Sequence, residues 1–158
     1  MKITLHTRTE ETVRIYFNKA NCPKIRKTLP QKSQNLEEAL ADYHKTIQPG
    51  ATSYGRTIQA DGTYIGDIWC YGIDSLEEPN AMVSYCIFDL EYWNCGAATN
   101  ALQSFLEDIV PRFHLKSPGA FTYSSNLPSI RVLEKNGFRL VETFAEDGVE
   151  SQYYQLDL

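Results

Sequence analysis

One strand-to-helix transition near the middle of the chain limits the available folds more than any other segment. Residues 81–89 have a β-strand composition and lead into residues 91–102, where Gly96 lies among small side chains. From position 98 onward, apolar residues recur at helical spacing, namely Ala98, Ala101, Leu102, Phe105 and Ile109. Backbone N–H groups left uncovered at such a helix start favour a phosphate or pyrophosphate. A tight turn that serves packing alone is the alternative.

The rest of the chain predicts an α/β or α+β domain with a largely antiparallel sheet. Strands are expected over residues 2–7, 53–60, 63–73, 81–89, 120–123, 138–146 and 150–158. Helices are expected to begin at Thr9, near Ser33 or Asn35, at Ala98 and at Pro128. Asp-Gly pairs at 61–62 and 147–148 are typical of hairpin turns, and residues 77–80 are expected to form a loop. The resulting order is β-α-α-β-β-β-α-β-α-β-β.

Length and charge exclude several classes of protein that this chain could belong to. The 158 residues favour a single domain, 1–158, that can bury a core without a disulfide or metal. A formal net charge of −5 argues against non-specific binding to nucleic acid or to anionic membranes. No apolar run approaches the ~20 residues of a membrane span, and no signal-type core is present, so a cytoplasmic protein is expected. Without C-x-x-C spacing, reduced thiols and no metal site are expected for Cys22, Cys70, Cys86 and Cys95.

A second strand, polar loop and helix follow the first transition. Asn126 and Ser129 lie at the expected helix start, and Gly137 and Phe138 lie at its exit. Taken alone, Asn126 is typical of an N-cap or a turn, and Ser129 of a first helical turn. Together, the two transitions place two helix starts on the same side of a sheet, where ligands commonly bind.

The two clusters together resemble the GNAT N-acetyltransferase superfamily, and within it the ribosomal-protein N-terminal alanine acetyltransferase branch. Residues 92–101 match that branch's Tyr-Trp-x-x-Gly-x-Ala-Thr-x-Ala pattern. The later Asn-x-x-Ser and Glu-Lys-x-Gly-Phe patterns are matched by Asn126, Ser129, Glu134, Lys135, Gly137 and Phe138. The resemblance covers residues 63–158, and the earlier helices match in order and length.

Some residues depart from the pattern of the family. Asn94, Cys95 and Ala97 replace the branch's usual loop residues, and Asn100 replaces a glutamate. Leu133 stands where many relatives outside this branch carry a tyrosine, often the general acid. Leucine cannot donate a proton, so that role must move elsewhere or be unnecessary.

The resemblance implies that acetyl-CoA is the cosubstrate, bound between splayed strands 81–89 and 120–123 of a GNAT-like mixed sheet with helices on both faces. The pantetheine amides are expected against backbone groups near Ile87 and Phe88. The pyrophosphate is expected on the backbone N–H groups of Asn94, Cys95, Gly96, Ala97, Ala98 and Thr99. These donors are uncommitted at a helix start, and the helix dipole favours an anion there.

The implied reaction is direct acyl transfer from the thioester to a primary amine, with no enzyme nucleophile, so Cys95 is a small loop residue. Ser129 is expected to stabilise the departing thiolate, and Asn126 to contact the cofactor or orient the turn. Asp67 is a candidate general base, on a strand face predicted to include Ile65, Trp69 and Tyr71, where the neighbouring aromatic rings would raise the pKa of its carboxyl group. A solvent-facing Asp67 is the alternative, as are Glu91 and a water chain as the base.

Several alternatives remain open at the level of the sequence. The acceptor is a protein or peptide N-terminus, or a small amine such as an antibiotic, polyamine or amino acid. The acidic hairpin tip at 146–150 is either a cation-attracting feature or a solvated turn. A non-catalytic acyl-CoA-binding or regulatory module is a different class of function. The last hairpin, with Tyr153 and Tyr154, is a candidate for pairing two subunits of a homodimer.

Overall fold

The computed structural model describes residues 1–30, 33–74 and 78–158, and these residues form seven strands and five α-helices. The strands are β1 (Ile3–Thr7), β2 (Tyr54–Ala60), β3 (Thr63–Asp74), β4 (Asn80–Ile87), β5 (Gly119–Tyr123), β6 (Arg139–Glu146) and β7 (Val149–Gln155). The helices are α1 (Glu10–Lys19), α2 (Pro23–Arg26), α3 (Leu36–Thr46), α4 (Ala97–Phe113) and α5 (Leu127–Lys135), and a 3₁₀ turn spans Leu90–Tyr92. Residue 77 of the predicted loop lies outside the described residues.

Local capping explains where the predicted helices begin. Thr9 accepts a hydrogen bond from the Thr12 amide and forms a reciprocal capping box at the start of α1. Asn35 caps α3 through the Glu38 amide. The short helix α2 was not predicted, because Pro23 starts a helical turn there as well as ending the preceding segment. Helix α4 continues through Pro111, which lies in its last turn.

The sheet has the strand order β1-β2-β3-β4-β5-β7-β6, and every neighbouring pair is antiparallel except β4 and β5. Those two parallel strands share a single paired position, Met82 with Gly119. By contrast, β3 and β4 stay paired as far as Gly66 and Ile87. Strands β4 and β5 therefore diverge toward their carboxyl ends, which confirms the splayed opening and the mixed, mostly antiparallel sheet.

Helices cover both faces of the sheet. Helix α4 packs against β1, β3 and β4, and α5 packs against β5. The main core lies on this face and includes Ile68, Leu102 and Phe105. A second, smaller cluster lies on the opposite face, where Ile25 of α2 packs with Cys86. Because strand side chains alternate, Tyr85 packs toward the main core and Cys86 toward the second cluster.

A register shift in β3 corrects one expectation about strand faces. Between β2 and β3 the pairing moves from Ile58–Gly66 to Gln59–Tyr64, so Ile65 is an unpaired extra residue. Ile65 therefore lies in the main core, whereas Trp69 packs with the cluster on the other face. The prediction that Ile65 shares a face with Asp67 is wrong for this reason.

Candidate functional site

The opening between β4 and β5 forms a cleft of about 840 Å³. Its walls come from both splayed strands, from the start of α4, from α5, and from α2 with the residues that follow it. Within the described residues, no group of histidine, cysteine, aspartate and glutamate is arranged to hold a metal ion, and no helix is long and apolar enough to cross a membrane.

The loop before α4 presents a row of free backbone donors. Asn94 (φ 57°) and Gly96 (φ 86°) are both in the left-handed region, and Gly96 is the N-cap of α4 without a side-chain cap. Across the part of the chain that the structure describes, the amides of residues 94–99 donate to no protein acceptor. The Cys95 thiol donates to the Tyr92 carbonyl at 3.0 Å. Free amides at a helix start, aided by the helix dipole, can bind a phosphate anion.

The end of β4 turns one backbone edge toward the cleft. The Phe88 amide donates to the Ile65 carbonyl at 2.9 Å, so it is engaged within the sheet. Backbone groups alternate along a strand, so those of Ile87 face the other side, where its carbonyl accepts the Trp93 indole N–H at 2.7 Å. Ile87 lines the cleft, whereas the Phe88 ring packs against Tyr16 and Tyr64 on the α1 side.

A pair of hydroxyl groups connects the two halves of the cleft. The hydroxyl of Tyr85 on β4 lies 3.0 Å from Ser129 Oγ in the first turn of α5. Asn126 caps this helix, since its Oδ1 accepts the Ser129 amide at 3.4 Å. Burial raises the pKa of Tyr85 to about 12, and the hydrogen bond with Ser129 opposes that rise. Tyr85, Asn126 and Ser129 all line the cleft, and Leu133 forms part of its apolar wall.

Asp67 is placed differently from the other predicted residues. It is buried, and it does not line the cleft. Its Oδ1 accepts the Tyr64 hydroxyl at 2.5 Å, and its Oδ2 lies 3.4 Å from Arg8 Nε. Burial raises the pKa of Asp67 above its ordinary value, and the Arg8 charge and then the Tyr64 hydrogen bond oppose that rise. The solvent-facing alternative is therefore excluded, and both oxygens face protein groups.

The remaining predicted groups are readily placed. Glu91 lies exposed in the 3₁₀ turn outside the cleft lining. Cys86 does line the cleft, and burial raises the pKa of its thiol to about 12, which keeps it from acting as a thiolate nucleophile. Tyr85, which contacts Ser129, was not among the predicted site residues. The signal that identifies it is its position on the cleft strand, two residues before Ile87, which puts it on the same strand face.

Comparison with known proteins places this geometry in a family. Residues 2–139 match the family described as "Acetyltransferase (GNAT) domain". No curated protein matches the sequence.

The fold is shared with several solved structures. RimL, a ribosomal L7/L12 alpha-N-protein acetyltransferase in complex with coenzyme A, has 18% identity and a TM-score of 0.85, covering 100% of this chain and 95% of that one. Spermidine N-acetyltransferase from Vibrio cholerae, with coenzyme A and spermine, has 16% identity and a TM-score of 0.86, covering 98% and 95%. The aminoglycoside acetyltransferase AAC(6')-Ib with coenzyme A has 18% identity and a TM-score of 0.81, covering 99% and 95%. With the family match spanning most of its length, the chain belongs to the GNAT acetyltransferase family.

Proposed function

We propose that this protein is an acetyl-CoA-dependent N-acetyltransferase that moves the acetyl group directly to a primary amine. The observation that carries the proposal is the row of free amides at residues 94–99, because all of these residues except Cys95 line the cleft between β4 and β5. Solved structures of the same fold hold coenzyme A, which supports this choice of cosubstrate. No metal ion takes part in the proposed reaction.

The cofactor would bind largely through the backbone. Its pyrophosphate would accept hydrogen bonds from the amides of residues 94–99, and its pantetheine arm would run along Ile87 toward Ser129 and Asn126. The exposed cations Arg131 and Lys135 on α5 also line the cleft and favour an anionic cofactor. Phe88 would shape this region through its packed ring, because its amide is already bonded to Ile65.

The hydroxyl groups of Ser129 and Tyr85 would stabilise the leaving group of the reaction. As the amine attacks the thioester carbonyl, the C–S bond breaks and negative charge develops on the departing sulfur of coenzyme A. The Ser129 hydroxyl would donate a hydrogen bond to that sulfur. Tyr85 would donate to Ser129 Oγ in turn, which polarises the serine hydroxyl and strengthens its hydrogen bond. A hydroxyl from β4 thereby compensates for the leucine at position 133.

The proton of the attacking ammonium would leave through water in the cleft. Asp67, the candidate base, is held behind the cleft by Arg8 and Tyr64, so we assign it a structural role. Glu91 lies outside the cleft lining and could act only through intervening water. The amine that reacts would therefore be one already neutral in an appreciable fraction of molecules.

A direct test of the activity mixes the protein with acetyl-CoA and a panel of peptides, polyamines and aminoglycosides and measures free thiol release. Mass spectrometry of the acceptor then locates the acetyl group. We expect thiol release that depends on both the protein and an amine. A protein that binds acetyl-CoA in calorimetry yet never turns over any amine would instead support the non-catalytic, acyl-CoA-binding class.

A homodimer formed through the β6–β7 hairpin is part of the proposal. Strand β6 is a sheet edge, and it exposes Leu140 and Val141. Sedimentation should give a dimer for the wild type and a monomer for Leu140→Glu; a monomeric wild type would contradict this assembly.

A cytoplasmic location is also part of the proposal. The four free cysteines support a reducing compartment such as the cytoplasm.

A further inference from the structure

The charged side chains that line the cleft among the described residues are all positive. Its lining includes Lys24 and Lys27, from α2 and its C-terminal cap, and Arg131 and Lys135, from α5. Among the described residues, no aspartate or glutamate lines the cleft. This is the reverse of the balance in the whole chain, which has a formal net charge of −5.

The two pairs of cations lie in different places. Helix α5 is held next to the start of α4, since Asn136 Nδ2 donates to the Thr99 carbonyl at 3.2 Å. Arg131 and Lys135 are therefore on the side of the phosphate-binding amides. Lys24 and Lys27 flank Ile25, which packs against Cys86 on the opposite face of β4 from Tyr85. The α2 lysines are thus across the strand from the Tyr85–Ser129 pair.

The acceptor amine would approach from the α2 side. This step rests on the proposed function, in which the leaving sulfur faces Ser129. A nucleophile adds to a thioester carbonyl from above or below the plane of that group. With Ser129 and α5 on one side of the thioester, the open side of the cleft is lined by Lys24, Ile25, Lys27, Thr28 and Leu29. Lys24 and Lys27 are exposed, and within the described residues neither forms an ion pair.

Two physical consequences follow for the acceptor. Unpaired ammonium groups within about 10 Å repel a substrate that carries further positive charges and attract one that carries carboxylates. A cleft without a lining carboxylate also lacks a strong base, so the amine must lose its proton easily. An α-amino group has a pKa of about 8, whereas a lysine-type alkyl amine has a pKa of about 10.

We propose that the acceptor is the N-terminal α-amine of an acidic peptide or protein. Carboxylates in the residues after that N-terminus would pair with Lys24 and Lys27 while the amine enters the cleft. The acidic tip of the β6–β7 hairpin does not oppose this, because Val149 alone of its described residues lines the cleft, and Glu146 and Glu150 do not. The proposal excludes polyamines and aminoglycosides as preferred acceptors, because each carries several ammonium groups.

The test uses the full chain with acetyl-CoA and peptides that share one N-terminal residue but continue with aspartates, with neutral residues or with lysines. Spermidine is the polyamine probe. At 50 mM salt we expect kcat/KM for the acidic peptide to exceed that for the basic peptide by about tenfold or more, with a smaller ratio at 0.5 M salt. The ratio of the two peptides cancels any effect on acetyl-CoA binding.

Charge reversal identifies the residues responsible. We expect the Lys24→Glu/Lys27→Glu double variant to reverse the peptide preference. The matched control is Lys116→Glu, an exposed lysine outside the cleft lining, which should keep the wild-type ratio. An unchanged ratio in the double variant would overturn the proposal about the acceptor. Faster acetylation of spermidine or of the basic peptide by the wild type would also overturn it, although the proposed acetyltransferase activity would then be supported. Acetyl-CoA binding without turnover of any amine would overturn both.

Discussion

The hydroxyl oxygen of Tyr85 lies 3.0 Å from Oγ of Ser129, and this contact bridges β4 and α5 across the open side of the sheet. The same tyrosine hydroxyl lies 3.5 Å from the Ser129 carbonyl. Asn126 Oδ1 accepts the Ser129 amide hydrogen bond at the start of α5. Ser129 is therefore held by Asn126 through its backbone and by Tyr85 through its hydroxyl group. A hydroxyl held in this way needs little rearrangement to stabilise charge that develops beside it.

Replacing Ser129 with alanine should lower kcat by about 100-fold, the usual effect of removing one donor to a developing charge. The Kd for acetyl-CoA should stay within a few-fold, because the backbone amides of residues 94–99 are unchanged. Stopped-flow or steady-state thiol release and calorimetry measure the two quantities. Ser104→Ala, on α4 outside the cleft lining, is the matched control. Wild-type turnover in Ser129→Ala would remove the assigned role.

Tyr85→Phe should lower kcat by about tenfold and leave KM for acetyl-CoA nearly constant, because only the hydroxyl that polarises Ser129 is lost. Combined with Ser129→Ala, the tyrosine change should add little, since the two hydroxyls act as one unit. Tyr71→Phe, at an exposed position of β3, serves as the control. Fully additive losses in the double variant would show that Tyr85 acts independently of Ser129.

Gly96→Trp should abolish acetyl-CoA binding while the protein stays folded. A Cβ at Gly96 meets no heavy atom within 4 Å, so the substitution fills the approach to the amides rather than clashing with the protein. The backbone strain of a positive φ costs about 1–2 kcal/mol. Gly50→Trp is closely matched, because Gly50 has φ 76° and is equally open, yet it lies outside the cleft lining. Equal acetyl-CoA affinity in the two variants would contradict the phosphate site at α4.

Asp67→Asn should destabilise the fold by about 3 kcal/mol or more, because it leaves the Arg8 guanidinium without its buried partner. Below its melting temperature, the variant should keep kcat within a few-fold of the wild type. Urea denaturation and thiol release measure the two effects. A loss of 100-fold or more in kcat in the folded variant would restore Asp67 as the general base.

The pH dependence of stability gives a separate check on Asp67. Its pKa is raised by burial, so between the ordinary carboxyl value near 4 and the higher folded value the native state holds more protons than the unfolded state. Stability from this group is therefore greatest at low pH and falls as pH rises through that window. The free energy of unfolding, measured in urea from pH 4 to 7, should fall less steeply in Asp67→Asn than in the wild type. A steeper fall in the variant would contradict the raised pKa.

Local signals in the sequence were enough to place the helices and turns around the cleft, whereas the cleft itself was implied by the family resemblance. The cap at Thr9, the Asp-Gly hairpin turns and the helical spacing after Gly96 each depend on neighbouring residues, and each was predicted correctly. For α3, the structure selects Asn35 from the two predicted starts. The free amides of the loop also depend on local backbone conformation. These features are encoded within a few residues of where they act.

Features that depend on distant residues were not accessible in the same way. The extra residue at Ile65 is set by how β2 pairs with β3, so alternation within β3 alone assigned it to the wrong face. The burial of Asp67 depends on Arg8 and Tyr64, and the proposed role of Tyr85 depends on its distance from Ser129. No local pattern reports such contacts, which only the tertiary arrangement brings together.

The proposed phosphate site, made of main-chain amides, has a consequence for which residues of the loop can change. Side chains in the loop can be substituted without loss of the amide donors, provided that the left-handed conformation at Asn94 and Gly96 and the start of α4 are kept. Chains with as little as 16–18% identity can then keep the same fold, as TM-scores above 0.8 illustrate. The proposed site therefore depends on backbone shape, whereas the proposed specificity for the acceptor depends on exposed side chains such as Lys24 and Lys27.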